Sequence, residues 1–178
     1  MRIVALLPFV ALAASAATLE RLTLDDMILR STSIVRARVG SSAGLPVGRV
    51  IYTRYYLDVT ERWKGGSEAL NEVFVPGGAA SGLRQTFSGA PRLEGGREYV
   101  LFLWRSPATG RTHVIGLSQG ALNLKSDGKG GLTVERNAGL SGATDAAGRA
   151  FEAEALGMSL DALRERVRRA VSTVGASR

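Results

Sequence analysis

One long stretch of alternating residues, at positions 50–63, constrains the fold more than any other feature of the sequence. From Tyr52 onward its even-numbered side chains are polar or aromatic, and its odd-numbered side chains include Leu57 and Val59. This period of two predicts a β-strand with one buried face. Because the run is longer than a usual strand, we expect it to bend or to carry a bulge and to pair with two partners, as strands do in small barrels.

Further strand patterns lie on both sides of this run. We predict strands at 34–39, 73–75, 97–105, 112–117, 121–125 and 132–135. Segment 97–105 is the most apolar of these, so we assign it to the central strand. Segment 40–48 is rich in small residues and contains Pro46, which predicts a loop.

Two helices accompany the strands. Residues 23–30 suit a short helix, because Thr23 is a good N-cap and Asp25 and Asp26 fall in the first turn, where the helix dipole favours acidic side chains. Residues 159–174 suit an amphipathic helix that begins at Ser159. The predicted class is therefore mainly β, a small barrel with a short N-terminal helix and a C-terminal amphipathic helix.

The N-terminal residues predict export. Arg2 precedes an apolar run that ends in the small residues Ala14, Ser15 and Ala16, which is the pattern of a signal peptide at 1–16. The run is too short to span a bilayer. We expect the rest to form a barrel domain with its N-terminal helix at 17–136, a glycine- and alanine-rich linker at 137–158, and the helix at 159–174 packed on the barrel. The expected location is the periplasm or the medium.

Composition limits the chemistry that this chain can carry. There is no cysteine, which excludes disulfides, thiol chemistry and cysteine-ligated metals. The net charge of +7 comes almost entirely from arginine, which indicates either an anionic partner or the codon bias of a GC-rich genome, and we favour the second. Nucleic acid is a poor candidate, because the basic residues are scattered.

No catalytic constellation stands out. His113 is the only histidine, so no histidine pair can bind a metal, and a serine–histidine hydrolase would need Ser118 and His113 to converge. Segment 116–120 resembles the nucleophile motif only loosely, because it lies between two strands. We therefore predict a protein that is not an enzyme and that has no metal and no cofactor, with the hydrolase as the weakest alternative.

The glycine-rich segment 77–96 is the candidate binding site. A loop of this length in a compact domain is usually functional or mobile, and it carries Arg84, Gln85, Phe87 and Pro91, residue types that suit recognition. In the alternative interpretation, Phe87 folds back and plugs the end of the barrel.

Several motifs resemble the netrin-like family, which includes the tissue inhibitors of metalloproteinases. The matches are the strand at 34–39, the motif Trp63-Lys64-Gly65 and the strand at 96–102. The blocks ERWKG, LRQTF and YVLFLW also resemble a group of exported bacterial proteins. The resemblance implies an OB-like five-stranded barrel, a scaffold that binds ligands on one face and through its loops. The inhibitors chelate the zinc of their target through an N-terminal cysteine, and that mechanism does not transfer to a chain without cysteine.

These observations favour a non-enzymatic exported binding module that recognises a protein or an envelope polymer through segment 77–96. The expected partner is an exported protein such as a peptidase, or an anionic envelope polymer. The alternatives are an inhibitor or partner of a co-exported peptidase and a structural envelope domain.

Overall fold

A computed structural model describes residues 20–137, 149 and 156–176. The predicted signal peptide and most of the predicted linker lie outside these residues. The described elements are α1 (Leu24–Arg30), β1 (Ser33–Val47), β2 (Val50–Lys64), β3 (Glu72–Pro76), β4 (Gly78–Ala80), β5 (Leu83–Gln85), β6 (Glu98–Arg105), β7 (Thr112–Val114), a 3-10 turn (Leu117–Gly120), β8 (Ala121–Ser126), β9 (Leu132–Arg136), β10 (Met158–Ser159) and α2 (Leu160–Ala176).

Five strands form a closed circuit. β1 pairs with β2 on one side and with β6 on the other, β2 continues to β3, and β7 joins β3 to β6. The β3–β7 contact is parallel and consists of the pair Phe74 and His113. From β6 the sheet extends outward through β8, β9 and β10. The mainly β class, the barrel-like closure and the two flanking helices are confirmed.

The loop predicted at 40–48 is wrong, because β1 continues to Val47 and forms a long hairpin with β2. Pro46 is tolerated because this half of β1 pairs only with β2 within the described chain, and proline suits such an edge. Gly44 is needed because a Cβ there would lie 1.8 Å from the carbonyl oxygen of Ala79. The register of the β1–β2 pair shifts between Val39 and Ser42, a bulge of the kind predicted for this long ladder.

β6 is buried on both faces, which explains its continuous apolar sequence. Tyr99, Leu101 and Leu103 point into the barrel, and Val100 and Phe102 point outward into a second core. The two helices cover that outer face. Its core contains residues of α1 (Leu24, Met27, Ile28) and of α2 (Leu160, Leu163, Val167).

Local capping contacts fix both helix starts. Thr23 and Asp26 form a capping box at α1, and the hydrogen bond from the Thr23 hydroxyl holds the pKa of Asp26 below its usual value. Ser159 Oγ accepts a hydrogen bond from the backbone N–H of Ala162 at 3.1 Å at the start of α2. None of the helices in the described ranges is long and apolar enough to cross a membrane.

The Trp63-Lys64-Gly65 motif has a structural role where the end of β2 meets α1. Trp63 Nε1 donates to Glu61 at 3.1 Å, and Lys64 Nζ donates to the carbonyl oxygens of Ile28 at 2.6 Å and Leu29 at 2.9 Å. Lys64 therefore caps the C-terminal end of α1, where the helix dipole favours a cation. Burial lowers the pKa of Lys64.

Candidate functional site

Segment 77–96, which the sequence predicts as a loop, contains two short β-strands. Its first part folds into the hairpin of β4 and β5, in which Ala79 pairs with Arg84. The turn contains Ser81 and Gly82, both with positive φ (51° and 76°), as a tight two-residue hairpin requires. The rest of the segment runs without regular structure to β6. The hairpin and the following residues together frame a groove.

The groove has a volume of about 610 Å³ and lies over one end of the barrel. Its floor includes Tyr55, Val75 and Leu93, which belong to or pack against the barrel core, and its walls include Gln85 and Phe87. Burial raises the pKa of Tyr55, so its hydroxyl stays neutral and can donate or accept a hydrogen bond. Mouths of barrels with an apolar floor and a few polar groups are common ligand sites.

Two of the four predicted site residues lie on β5 and differ in role. Arg84 is exposed, so its guanidinium is available to a partner. Gln85 is held in place, since its Oε1 accepts from the backbone N–H of Ile51 at 2.7 Å and its Nε2 donates to the carbonyl of Arg49 at 3.4 Å. Gln85 thus fastens the small hairpin to the tip of the β1–β2 hairpin.

Phe87 and Pro91 line the groove. Phe87 is partly buried and packs near Gly77, where an added Cβ would lie 3.7 Å from Phe87 Cδ2. The ring is therefore a wall of the groove. It is neither fully exposed, as a loop recognition residue would be, nor fully buried, as a plug of the barrel end would be. Pro91 is buried and separates the groove from a cavity of about 190 Å³ lined by Phe74 and His113, among others.

Sequence reasoning missed Leu83. Its side chain is 68% exposed at the first position of β5, directly beside Arg84. Leu83 lies in the segment predicted as a loop, where a single apolar side chain gives no sequence signal that distinguishes an exposed from a buried position. The exposed side chain of Leu83 offers apolar area to a partner on the strand that leads into the groove wall.

The structure does not bring the two residues of the hydrolase alternative into contact. Ser118 Oγ is buried and forms no hydrogen bond with any described residue. His113 Nδ1 lies 3.1 Å from the carbonyl oxygen of Phe74, to which it donates in the neutral form. Burial lowers the pKa of His113, and no hydrogen bond links it to a described carboxylate. This arrangement lacks the nucleophile–base and base–acid contacts of a triad.

A scan against models of known protein families finds no match for this sequence, and a search of curated proteins finds none that is significantly similar. The netrin-like resemblance therefore stays a prediction from the sequence motifs.

Proposed function

We propose that the protein is an exported, non-enzymatic binding module that recognises a segment of a partner protein at the groove framed by β4, β5 and residues 86–93. The observation that carries this proposal is the exposed pair Leu83 and Arg84, which on β5 directly precedes Gln85 in the wall of a groove with an apolar floor. Leu83 offers apolar area, Arg84 offers charge, and the groove offers a recess for the partner's side chains.

The shape of the site favours a polypeptide partner. β5 pairs with β4 on one side, and no other described strand pairs with it. Its free backbone groups can extend the two-stranded sheet with a strand of the partner, which is a common mode of peptide recognition. Arg84 then favours an acidic residue in that strand.

Affinity capture tests the proposal. The immobilised protein is exposed to envelope and medium extract, in parallel with the double variant Leu83→Ser and Arg84→Ala. The matched control is Leu29→Ser and Arg169→Ala, because Leu29 is 54% exposed on α1 and Arg169 is exposed on α2. We expect one protein to be retained by the wild type and the control and to be lost by the groove variant.

Equal retention by all three proteins would refute the groove as the binding site. If the retained protein is a peptidase whose hydrolysis slows on titration, the module acts as its inhibitor, which is the second function considered above. If no protein is retained, the binding proposal fails and the structural role takes its place.

A further inference from the structure

The outside of the barrel carries a row of aromatic and arginine side chains that the groove does not use. Across neighbouring strands, Arg54 pairs with Phe74, Phe74 with His113, and His113 with Trp104. The His113 ring lies 5.8 Å from the ring of Tyr52, 6.2 Å from that of Phe74 and 6.4 Å from that of Trp104, measured between centroids. Four strands thus bring four rings together on one surface.

Part of this row is open to solvent. Trp104 is 40% exposed, although the five residues of β6 before it are all buried. Tyr52 and His113 are partly buried and line the small cavity of about 190 Å³ beside Phe74. A large exposed aromatic ring at the end of a core strand keeps apolar area in contact with water. A ligand that covers the ring removes this area from water, which gives a physical reason for a tryptophan at this position.

The charge around the rings is positive. The guanidinium of Arg111 lies 5.7 Å from the centroid of Phe74, and no ion pair joins Arg111 to a carboxylate in the described chain. Arg54 stands at the β2 end of the row, across from Phe74, 4.9 Å from the ring of Tyr56, and it forms a long ion pair with Glu72 at 3.9 Å. These arginines repel a cationic ligand, so the rings do not form a cage for an ammonium group.

We propose that this row binds an acidic polysaccharide. The apolar faces of the sugar rings stack on Trp104 and Tyr52, and their carboxylates pair with Arg111 and Arg54. The row crosses three interstrand spacings, about 14 Å, which suits a chain of sugars better than one sugar ring. The site is independent of the protein-binding groove, because none of these side chains lines it.

Binding of a defined polymer tests this inference. Polygalacturonate is titrated into the intact protein, and binding is followed by calorimetry and by tryptophan fluorescence. Dextran serves as the neutral polymer and a single-stranded oligonucleotide as a different polyanion. The variants are Trp104→Ala and Arg111→Ala, with Arg169→Ala as a control that removes the same charge from α2.

We expect polygalacturonate to bind, and Trp104→Ala and Arg111→Ala each to weaken it about tenfold, while Arg169→Ala changes the affinity less than about twofold. Thermal melting verifies that each variant is folded. If Trp104→Ala does not fold, the comparison of Arg111→Ala with Arg169→Ala tests the proposal by itself. If Arg111→Ala and Arg169→Ala weaken the binding of polygalacturonate equally, net charge alone explains the loss of affinity, and the proposal is overturned. Equal affinity for dextran or for the oligonucleotide, or no binding of polygalacturonate, would also overturn it.

Discussion

Replacement of Glu61 by glutamine removes the charge at the centre of the contact between α2 and the barrel. Glu61 accepts hydrogen bonds from Arg36 at 2.9 Å, from Arg164 at 3.0 Å and from Trp63 at 3.1 Å. Burial by itself would raise the pKa of Glu61, but the hydrogen bonds from Trp63, Arg36 and Arg164 outweigh it and hold the pKa below the usual value. Glu61 is thus the shared acceptor of β1, β2 and α2.

The loss of stability depends on the ion pairs that Arg36 and Arg164 retain in the variant. A hydrogen bond to a charged group contributes about 1.5–3 kcal/mol, and the side chains of Arg36, Glu61 and Arg164 are only 23%, 29% and 29% exposed. Arg36 still pairs with Glu98 in the variant, and Arg164 still contacts Asp161. Because neither arginine is left without a carboxylate, we expect a loss of about 1–2 kcal/mol, or a fall in Tm of about 2–8 °C.

Urea denaturation measures this loss, and Glu135→Gln is the matched control. Glu135 pairs with Lys125 at 3.2 Å, but these side chains are 50% and 66% exposed, so its removal should cost less than about 0.5 kcal/mol. A double-mutant cycle with Arg164→Met should give a coupling of about 1 kcal/mol. The difference between wild type and Glu61→Gln should fade as the pH falls below about 4.3 and through the lower pKa of the folded state. A cost no larger than that of Glu135→Gln, or a zero coupling, would refute the reasoning.

Three further predictions follow from single contacts. Burial lowers the pKa of His113, so the unfolded chain takes up the proton first and wild-type stability should fall as the pH drops below about 6.5 towards the lower pKa of the folded state; in His113→Phe the urea midpoint should lose this slope. Gly44→Ala forces a Cβ to within 1.8 Å of the Ala79 carbonyl oxygen and should cost about 1–3 kcal/mol, whereas Gly66→Ala, with nothing within 4 Å, should change the urea midpoint little. Lys64→Met removes the two hydrogen bonds that cap α1 and should lower the Tm by about 2–8 °C; an unchanged Tm would contradict the capping role.

The sequence alone was enough where a local pattern matches the burial. β6 was predictable because its two faces contact the barrel core and the helix-covered core, which requires an unbroken apolar run. α1 was predictable because Thr23 and Asp26 cap it within the same turn. The length of β2 indicated a strand with two partners, and it pairs with both β1 and β3.

Contacts between distant segments were not predictable. The second half of β1 looks like a loop because its glycine and proline are explained only by the approach of Ala79 to Gly44 and by its edge position. β4 and β5 have three residues each, too few for a period to be recognised. The role of Gln85 depends on Ile51, thirty-four positions earlier in the chain. The aromatic row needs the registers of four strands, which no local pattern contains.

Site-specific photo-cross-linking tests the central claim, recognition at the groove, most directly. A photoreactive side chain is placed at position 86, where the exposed Thr86 lines the groove, and, in separate proteins, at positions 29 and 169 on the two helices, where the native residues are also exposed. After irradiation in extract, we expect one discrete protein adduct from position 86 and none from the other two. The same adducts from all three positions, or none from position 86, would contradict recognition at the groove.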